Sequence, residues 1–221
     1  MEQIEQLIEK SNVAGIEEKL TESRALTWAA VSKIAEQIKP GMTELEAIRM
    51  GQKTLADLGC KKFWHRCHIR FGQGTVCSFD DEYADHVLGK DDIFYIDIGP
   101  IWNGIEGDAG TTFVTGTNQE FVRCKTDVKL IFTQVAEAWR NQKLTGIDLY
   151  RFAERTAKDR GWELAPSYVR GHRLSEFPHS FHSEAMLDSI DFCPQPQRWM
   201  LEIHICDPDR RFGAFHEDLL Q

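Results

Sequence analysis

The sequence predicts a single-domain α/β protein, and three observations support this. Apolar residues recur at three- and four-residue steps in the first third of the chain and again past its middle, as in amphipathic helices. Two other stretches consist of β-branched and aromatic runs broken by Gly, Asn and Asp, as in strands joined by turns. No repeat or Ser/Gly/Pro-rich linker divides the 221 residues, so we expect one domain over residues 1–221.

Each element has its own local signal. The first helix is predicted over Ile16–Ile38 and ends before Pro40-Gly41. The capping box Thr43-x-x-Glu46 opens a second helix that continues to about Leu58. The helical segment of about residues 1–60 is expected to pack on the rest of the domain. The remaining predicted elements are two helices at about Asn118–Gln142 and Gly146–Lys158, and strand-rich stretches at Phe63–Phe113 and Glu163–Gln221.

Charge and composition exclude several classes of protein. The chain has 26 Lys and Arg residues against 35 Asp and Glu residues, a net charge of −9, and no basic block, so we expect no nucleic-acid partner. Its apolar runs are far shorter than the roughly 20 residues of a membrane span. The first residues lack the pattern of a secretion signal, so a cytoplasmic location is expected. The six cysteines are then expected to be reduced, mostly buried thiols.

An aspartate in an apolar strand is the first sign of chemistry. Asp97 lies within Asp92–Trp102, and a buried carboxylate costs several kcal/mol unless a cation or hydrogen-bond donors compensate it. Asn103-Gly104 predicts a two-residue hairpin that places Asp97 diagonal to Asp108 on one face, with a glycine opposite each. Because this hairpin has no nearby Lys or Arg, we predict a metal ion between the two carboxylates. The alternative is that both point to solvent.

A second strand repeats this pattern near the end of the chain. Glu202 lies in the apolar run Trp199–Cys206, and Asp207-Pro208 is typical of a type I turn. A four-residue loop would place Glu202 directly opposite Glu217, whereas a three- or five-residue loop would turn Glu217 to the other face. Two carboxylate pairs and an imidazole would form an oxygen-rich site that can hold two divalent ions.

Two histidines, His172 and His179, are seven residues apart in a predicted loop. A lone loop histidine is more often a surface or hydrogen-bonding residue than a metal ligand. The same interpretation applies to His65, His68, His86, His182, His204 and His216. His204 stands apart because it shares a strand face with Glu202 and could support a ligand there.

Taken in order, these residues resemble the pita-bread metallopeptidases, a family that includes methionine aminopeptidase, aminopeptidase P, prolidase and the creatinase-like proteins. The resemblance extends from Lys39-Pro-Gly-Met-Thr-Glu44 to Glu217 and corresponds to the catalytic domain only. It implies a curved, mainly antiparallel sheet backed by helices, with a pseudo-twofold axis between halves. It also implies two divalent metal ions (Mn, Fe, Co or Zn) and a set of five ligands: Asp97, Asp108, His172, Glu202 and Glu217.

The resemblance implies an activity as well. The expected reaction is hydrolysis of the N-terminal amide bond of a short peptide by metal-activated water, as in Xaa-Pro or methionine aminopeptidases. Glu202 would move the proton of that water, and His179 would hydrogen-bond the amide or the tetrahedral intermediate. The implied partner is a short peptide or small amide, with no nucleic acid or membrane, and a homodimer is the default assembly.

The chain departs from the family pattern in two places. Gly171-His-Arg-Leu-Ser175 stands where the family usually has Gly-His-Gly-Ile-Gly, so Arg173 and Ser175 are expected to add bulk and a charge near the substrate cleft. A family histidine upstream of the first metal-binding strand has no counterpart in Val76–Asp80. Two alternatives therefore stay open. One is a metal-dependent enzyme for a non-peptide small molecule, acting by amide or amidine hydrolysis or iron-dependent oxidation. The other is a non-catalytic peptide-binding module.

Overall fold

A curled antiparallel sheet packed against helices forms the part of the chain described by our computed structural model, residues 8–78, 81–82, 84–167, 170–181 and 183–221. The α-helices of these residues are α1 (Ile16–Ala35), α2 (Glu44–Asp57), α3 (Gln119–Gln142) and α4 (Gly146–Asp159). The strands are β1 (Phe63–Phe71), β2 (Asp92–Trp102), β3 (Ile105–Glu106), β4 (Ala109–Thr115), β5 (Glu163–Leu164), β6 (Met200–Cys206) and β7 (Gly213–Leu219). The predicted α/β class is confirmed.

The predicted helices agree with the structure to within a few residues. The first helix ends three residues before the predicted Ile38, because Gln37 and Ile38 donate to carbonyls only three residues back. At the start of α2 the predicted capping box is present. The Thr43 hydroxyl accepts from the Glu46 amide at 3.2 Å, and the Glu46 carboxylate accepts from the Thr43 amide at 2.9 Å.

The sheet consists of two similar halves. Its strand order is β1-β2-β4-β7-β6-β5, with β3 paired to β2 alone, and every pairing is antiparallel. A helix pair precedes the strands of each half: α1 and α2 before the first hairpin, α3 and α4 before the second. The halves meet where β4 pairs with β7 at Gly110 and Glu217. This repeat matches the pseudo-twofold that the resemblance implies.

The registers of both hairpins are as predicted. Trp102 pairs with Ile105 around the Asn103-Gly104 turn, which places Asp97 opposite Gly110. Both turn residues have positive φ angles of 53° and 84°, which is the backbone conformation of a type I′ turn.

In the second hairpin, Glu202 pairs directly with Glu217. The antiparallel pairing extends to Asp207, whose amide donates to the Phe212 carbonyl at 3.1 Å. The loop therefore comprises Pro208–Arg211, the four-residue length for which Glu202 is predicted to lie opposite Glu217.

Strand alternation separates the core from the opposite face of the sheet. Ile96 belongs to the apolar cluster covered by α1 and α2, and Ile203 to the cluster covered by α3 and α4. Asp97 and Glu202, one residue away from these, face a cavity on the other side. The helices therefore fix the strands from one side and leave the other side for polar groups. Among the described residues, we find no helix long and apolar enough to cross a membrane.

All six cysteines are free thiols, and four of them are buried: Cys60, Cys67, Cys124 and Cys206. The expectation that most of the cysteines are buried is confirmed. Helices α1 and α2 lie within the segment of about residues 1–60 that is predicted to be helical, and residues 1–7 lie outside the described part of the chain.

Thr43→Ala is expected to lower the free energy of unfolding by about 1 kcal/mol, because the Glu46 amide loses its acceptor. Urea denaturation followed by circular dichroism measures this change. Thr21→Ala, at an exposed position inside α1, is the matched control and should stay within ~0.5 kcal/mol of the unaltered chain. Equal stability of the two variants would contradict a stabilising role for the capping box.

Candidate metal centre

The five residues implied as metal ligands converge on one buried site. Asp97 comes from β2, Asp108 from the residue before β4, His172 from the loop before β6, and Glu202 and Glu217 from β6 and β7. All five line the same cavity, and their side chains are almost fully buried apart from a partly buried Asp97. The His172 Nε2 atom lies 2.9 Å from Asp108 Oδ2 and 3.6 Å from Glu202 Oε1.

Burial and mutual repulsion disfavour the charge of three of the four carboxylates. Burial raises the pKa of Asp97 to about 6, despite the nearby His65, and the pKa of Glu202 to about 7, despite His172. Burial beside Asp108 and Asp97 raises the pKa of Glu217 well above its usual value. A site that penalises ionisation in this way is expected to gain from a bound cation.

The fourth carboxylate, Asp108, behaves in the opposite way. Burial opposes its ionisation, yet hydrogen bonds from His172 and His65 lower its pKa to about 2. The two imidazoles respond in turn. Burial opposes their charge, but Asp97 and Asp108 raise the pKa of His65 to about 9, and Asp108 and Glu202 raise that of His172 to about 9.

Two oxygens of the cluster are suited to bind a cation. Asp97 Oδ1 and Glu217 Oε1 are buried and accept no hydrogen bond from the part of the chain that the structure describes. Oxygen atoms left in this state cost free energy unless they bind something positive. Donor atoms of Asp108, His172 and Glu217 lie close enough to share one ion, as do those of His65, Asp97 and Asp108. The donor set of carboxylates and imidazole therefore fits Mn, Fe, Co or Zn.

His65 and Trp64 belong to the site, although nothing in the sequence set them apart. His65 lies on β1 with its Nε2 atom 3.3 Å from Asp108 Oδ1 and 3.5 Å from Asp97 Oδ1. The Trp64 ring lies among three histidines, with its centroid 4.4 Å from that of His65, 4.8 Å from that of His172 and 5.3 Å from that of His179. Its indole nitrogen donates to the Gly107 carbonyl at 2.9 Å, which fixes the ring.

His179 lines the same cavity, and a buried glutamate that sequence reasoning missed holds it in place. Glu106 accepts from the His179 amide at 2.8 Å, and its other oxygen lies 3.0 Å from His179 Nδ1. The Ser175 amide donates to this carboxylate as well, at 3.1 Å. Since a carboxylate can only accept in these contacts, Nδ1 carries the proton, and Nε2 is the ring nitrogen left for a ligand.

The prediction that Arg173 adds a charge near the substrate cleft is wrong. This residue is fully buried, donates to the Lys10 carbonyl and does not line the cavity. Backbone alternation explains the difference, because His172 bridges to Met186 while Arg173 bridges to Trp199 on the other side of the segment. Ser175 is buried too, and its hydroxyl donates to Glu176 rather than facing the cavity.

The other histidine positions considered in the sequence do not belong to the metal cluster. His204 lines the cavity, but its Nε2 atom lies 2.7 Å from the Thr75 carbonyl, and burial lowers its pKa to about 4. Of the segment expected to lack the family histidine, Phe79 and Asp80 lie outside the described residues, as does His182.

The cavity beside the carboxylates has a volume of about 240 Å³, just below the usual range of small-molecule sites. Its walls are mainly aromatic and apolar. Among the described residues that line it, Arg170 is the only Lys or Arg. The cavity therefore joins an acidic cluster, an apolar wall and one guanidinium, and it suits a small ligand of mixed polarity.

A pita-bread sheet with a buried carboxylate and imidazole centre is the architecture of a metallopeptidase-like hydrolase. The family model for metallopeptidase family M24 matches residues 18–219. The chain therefore belongs to this family, which confirms the resemblance seen in the sequence. No curated protein sequence matches the chain.

Solved structures share the fold at low sequence identity. An X-Pro aminopeptidase from Thermotoga maritima matches with a TM-score of 0.73 and 19% identity, over 99% of this chain and 61% of its own. A Xaa-Pro dipeptidase from Bacillus anthracis matches with a TM-score of 0.77 and 18% identity, over 98% and 60%. A methionine aminopeptidase from Thermotoga maritima matches with a TM-score of 0.73 and 13% identity, over 95% and 94%. The chain spans about three fifths of the length of the X-Pro relatives.

Without metal, the protein is expected to lose stability as the pH rises from about 6.5 to 9. Below this range the lowered pKa values of the buried His204 and His216 oppose the trend. Within it, the folded state keeps protons on Glu202, His65 and His172 at pH values where the unfolded chain has released them. The free energy of unfolding therefore falls through this range. In a chelator, we expect a Tm at pH 8.5 at least ~3 °C below that at pH 6.5, the change that about 1 kcal/mol produces at this size.

Added Mn²⁺ should reverse this trend, because metal binding displaces those protons and becomes stronger as the pH rises. Glu217→Gln is a matched variant that removes one of the buried acids and should reduce the pH slope of the metal-free protein. A metal-free Tm that increases between pH 6.5 and 8.5 would contradict the description of the site.

Proposed function

We propose that this chain is a two-metal hydrolase that cleaves the N-terminal amide bond of a short peptide or small amide. The observation that carries the proposal is the convergence of five ligand-type side chains around two carboxylate oxygens that accept no hydrogen bond from the described chain. Membership of a metallopeptidase family supports the reaction class. Asp97, Asp108, His172, Glu202 and Glu217 are proposed to hold the ions, which would be Mn, Fe, Co or Zn.

A bound pair of divalent ions supplies a water of lowered pKa and a polarised substrate carbonyl. The protein side chains would accept and donate the protons of the reaction. We assign to Glu202 the transfer of the water proton to the leaving amine, because a carboxylate that lies beside the ions can accept the proton of the water and pass it on. The Tyr150 hydroxyl donates to the Glu202 carbonyl at 2.9 Å and so fixes this part of β6.

His179 is assigned to the substrate side of the site. Its Nδ1 atom is hydrogen-bonded to the Glu106 carboxylate, so the orientation of the ring is fixed before any ligand binds. Nε2 would then hydrogen-bond the scissile amide or the tetrahedral intermediate. A preorganised contact of this kind costs little reorganisation during the reaction.

The size and charge of the cavity favour a short substrate. A volume of about 240 Å³ leaves little room beyond a dipeptide-sized ligand. Arg170 would face the carboxylate of such a ligand, and the acidic cluster with its bound ions would hold the amide end. The cytoplasmic location and a homodimeric state belong to the same proposal and rest on the sequence alone.

The direct experiment is to load the purified protein with Mn²⁺ or Co²⁺ and to assay Xaa-Pro and Met-Xaa dipeptides for release of the N-terminal residue. Hydrolysis of either class that is abolished by chelator and restored by the metal is the expected result. Stoichiometric metal without turnover of any peptide would contradict the peptidase part of the proposal.

A second candidate is iron-dependent oxidation of a small molecule, and the second imidazole beside the acid pair, His65, favours it. Oxygen consumption by the Fe²⁺-loaded protein distinguishes oxidation from hydrolysis.

His179→Ala is expected to lower kcat by ~10²-fold or more while metal content stays unchanged, because the variant loses a transition-state contact but no ligand. Steady-state kinetics together with elemental analysis measure both quantities. His86→Ala, a partly buried histidine outside the cavity, is the control and should leave both unchanged. Unaltered kinetics in His179→Ala would remove His179 from the mechanism.

A further inference from the structure

A second imidazole faces the carboxylate pair of the first hairpin at distances typical of ligands that share an ion. His65 Nε2 lies 3.3 Å from Asp108 Oδ1 and 3.5 Å from Asp97 Oδ1. Hydrogen bonds from ring nitrogens are usually shorter, about 2.9–3.0 Å. Two donors bound to one ion at about 2.1 Å lie about 3.0–3.4 Å apart at right-angle or tetrahedral geometry. Asp97 Oδ1 also accepts no hydrogen bond from any described residue.

The tautomer of His65 is set in the way expected for a metal ligand. Its Nδ1 atom lies 2.7 Å from the Arg66 carbonyl, and a carbonyl can only accept, so Nδ1 carries the hydrogen. In the neutral ring, the lone pair on Nε2 then points toward the aspartates. His172 has the same arrangement, with Nδ1 3.0 Å from the Arg173 carbonyl. Histidines that bind metals generally donate their other ring N–H to a carbonyl, carboxylate or water.

The fold also holds the His65 ring in this position. Its side chain is only 5% exposed, and β1 pairs it with Gly99 of β2. A Cβ atom at position 99 would lie 2.0 Å from His65 Cδ2, so the ring uses space that only a glycine leaves. Trp64 packs edge-on against the same ring, at a centroid distance of 4.4 Å.

We infer that His65 is a sixth protein ligand and binds, through Nε2, the ion held by Asp97 and Asp108. This inference rests on the proposed function, since it concerns the ions of that site. His65 and His172 would then give each of the two ions one nitrogen ligand. Imidazole in place of an all-oxygen set shifts the preference away from Mg²⁺ and Ca²⁺ toward Fe, Co and Zn.

X-ray absorption of the unaltered, Zn-loaded protein tests this without any substitution, because imidazole rings give a distinct outer-shell scattering pattern. With two ions per chain, we expect an average of one imidazole per ion. An average of one half would leave His172 as the sole imidazole ligand and overturn the inference.

His65→Asn provides an independent test by calorimetric titration with Co²⁺ and Mn²⁺. Loss of one ion, or at least ~10-fold weaker binding of one ion with the other retained, is expected, because even an outer-shell partner of a ligand is worth ~10–100-fold in affinity. His172→Asn serves as the comparison for loss of an assigned ligand, and His86→Asn as the histidine control. Circular dichroism and the metal-free Tm establish that each variant is folded. If a variant does not fold, X-ray absorption of the unaltered protein decides whether His65 is a ligand.

Two results would contradict the inference. His65→Asn that binds both ions as tightly as the unaltered protein would show that His65 is no ligand. An unaltered protein that binds one ion, with a second gained in His65→Asn, would show that a His65 imidazolium takes the place of that ion. An unaltered protein that binds no ion at all would instead overturn the proposed function, so the two failures are distinguishable.

Discussion

Repulsion among four buried carboxylates is the constraint on which the rest of the site depends. Asp97, Asp108, Glu202 and Glu217 meet where the two hairpins join at the centre of the sheet, almost out of contact with water. Like charges in such a place are tolerated only if protons or cations neutralise them. The raised pKa values of three of these acids show that protons neutralise them when no metal is bound. The proposed metal ions would neutralise them in the metal-bound protein.

The surrounding fold holds the four acids close together and does not allow their repulsion to separate them. Two helix pairs cover the opposite face of the sheet with apolar side chains, so the strands that carry the acids cannot separate without exposing the core. Trp64 and Glu106 fix the imidazoles on the open side. The acids are thus held in a geometry that a bound cation stabilises, which is the general logic of a preorganised metal centre.

Local turn chemistry explains why so much of this site could be predicted from the sequence. Asn103-Gly104 admits few hairpin geometries, and its register alone determines which residues face Asp97. The pairing of Glu202 with Glu217 follows in the same way only for a four-residue loop after Asp207, a length that the structure supplies and the sequence left open.

Contacts between distant segments could not be predicted in this way. His65 reaches the acids from β1, whose pairing with β2 shifts register on both sides of that residue, so counting from a turn fails. Glu106 meets His179 across 73 residues of chain, through a loop with no regular period. Arg173 was expected near the cavity but donates to Lys10, because strand-like alternation within a loop is invisible in the sequence.

Anomalous diffraction from crystals grown with Mn²⁺ would locate ions among the four acids. Two strong peaks are expected between the hairpins, within bonding distance of Asp108 and of oxygen atoms from both Asp97 and Glu217. An anomalous map without a peak in this crevice, at saturating Mn²⁺ and neutral pH, would show that protons alone keep the four acids together and that the site is not a metal centre.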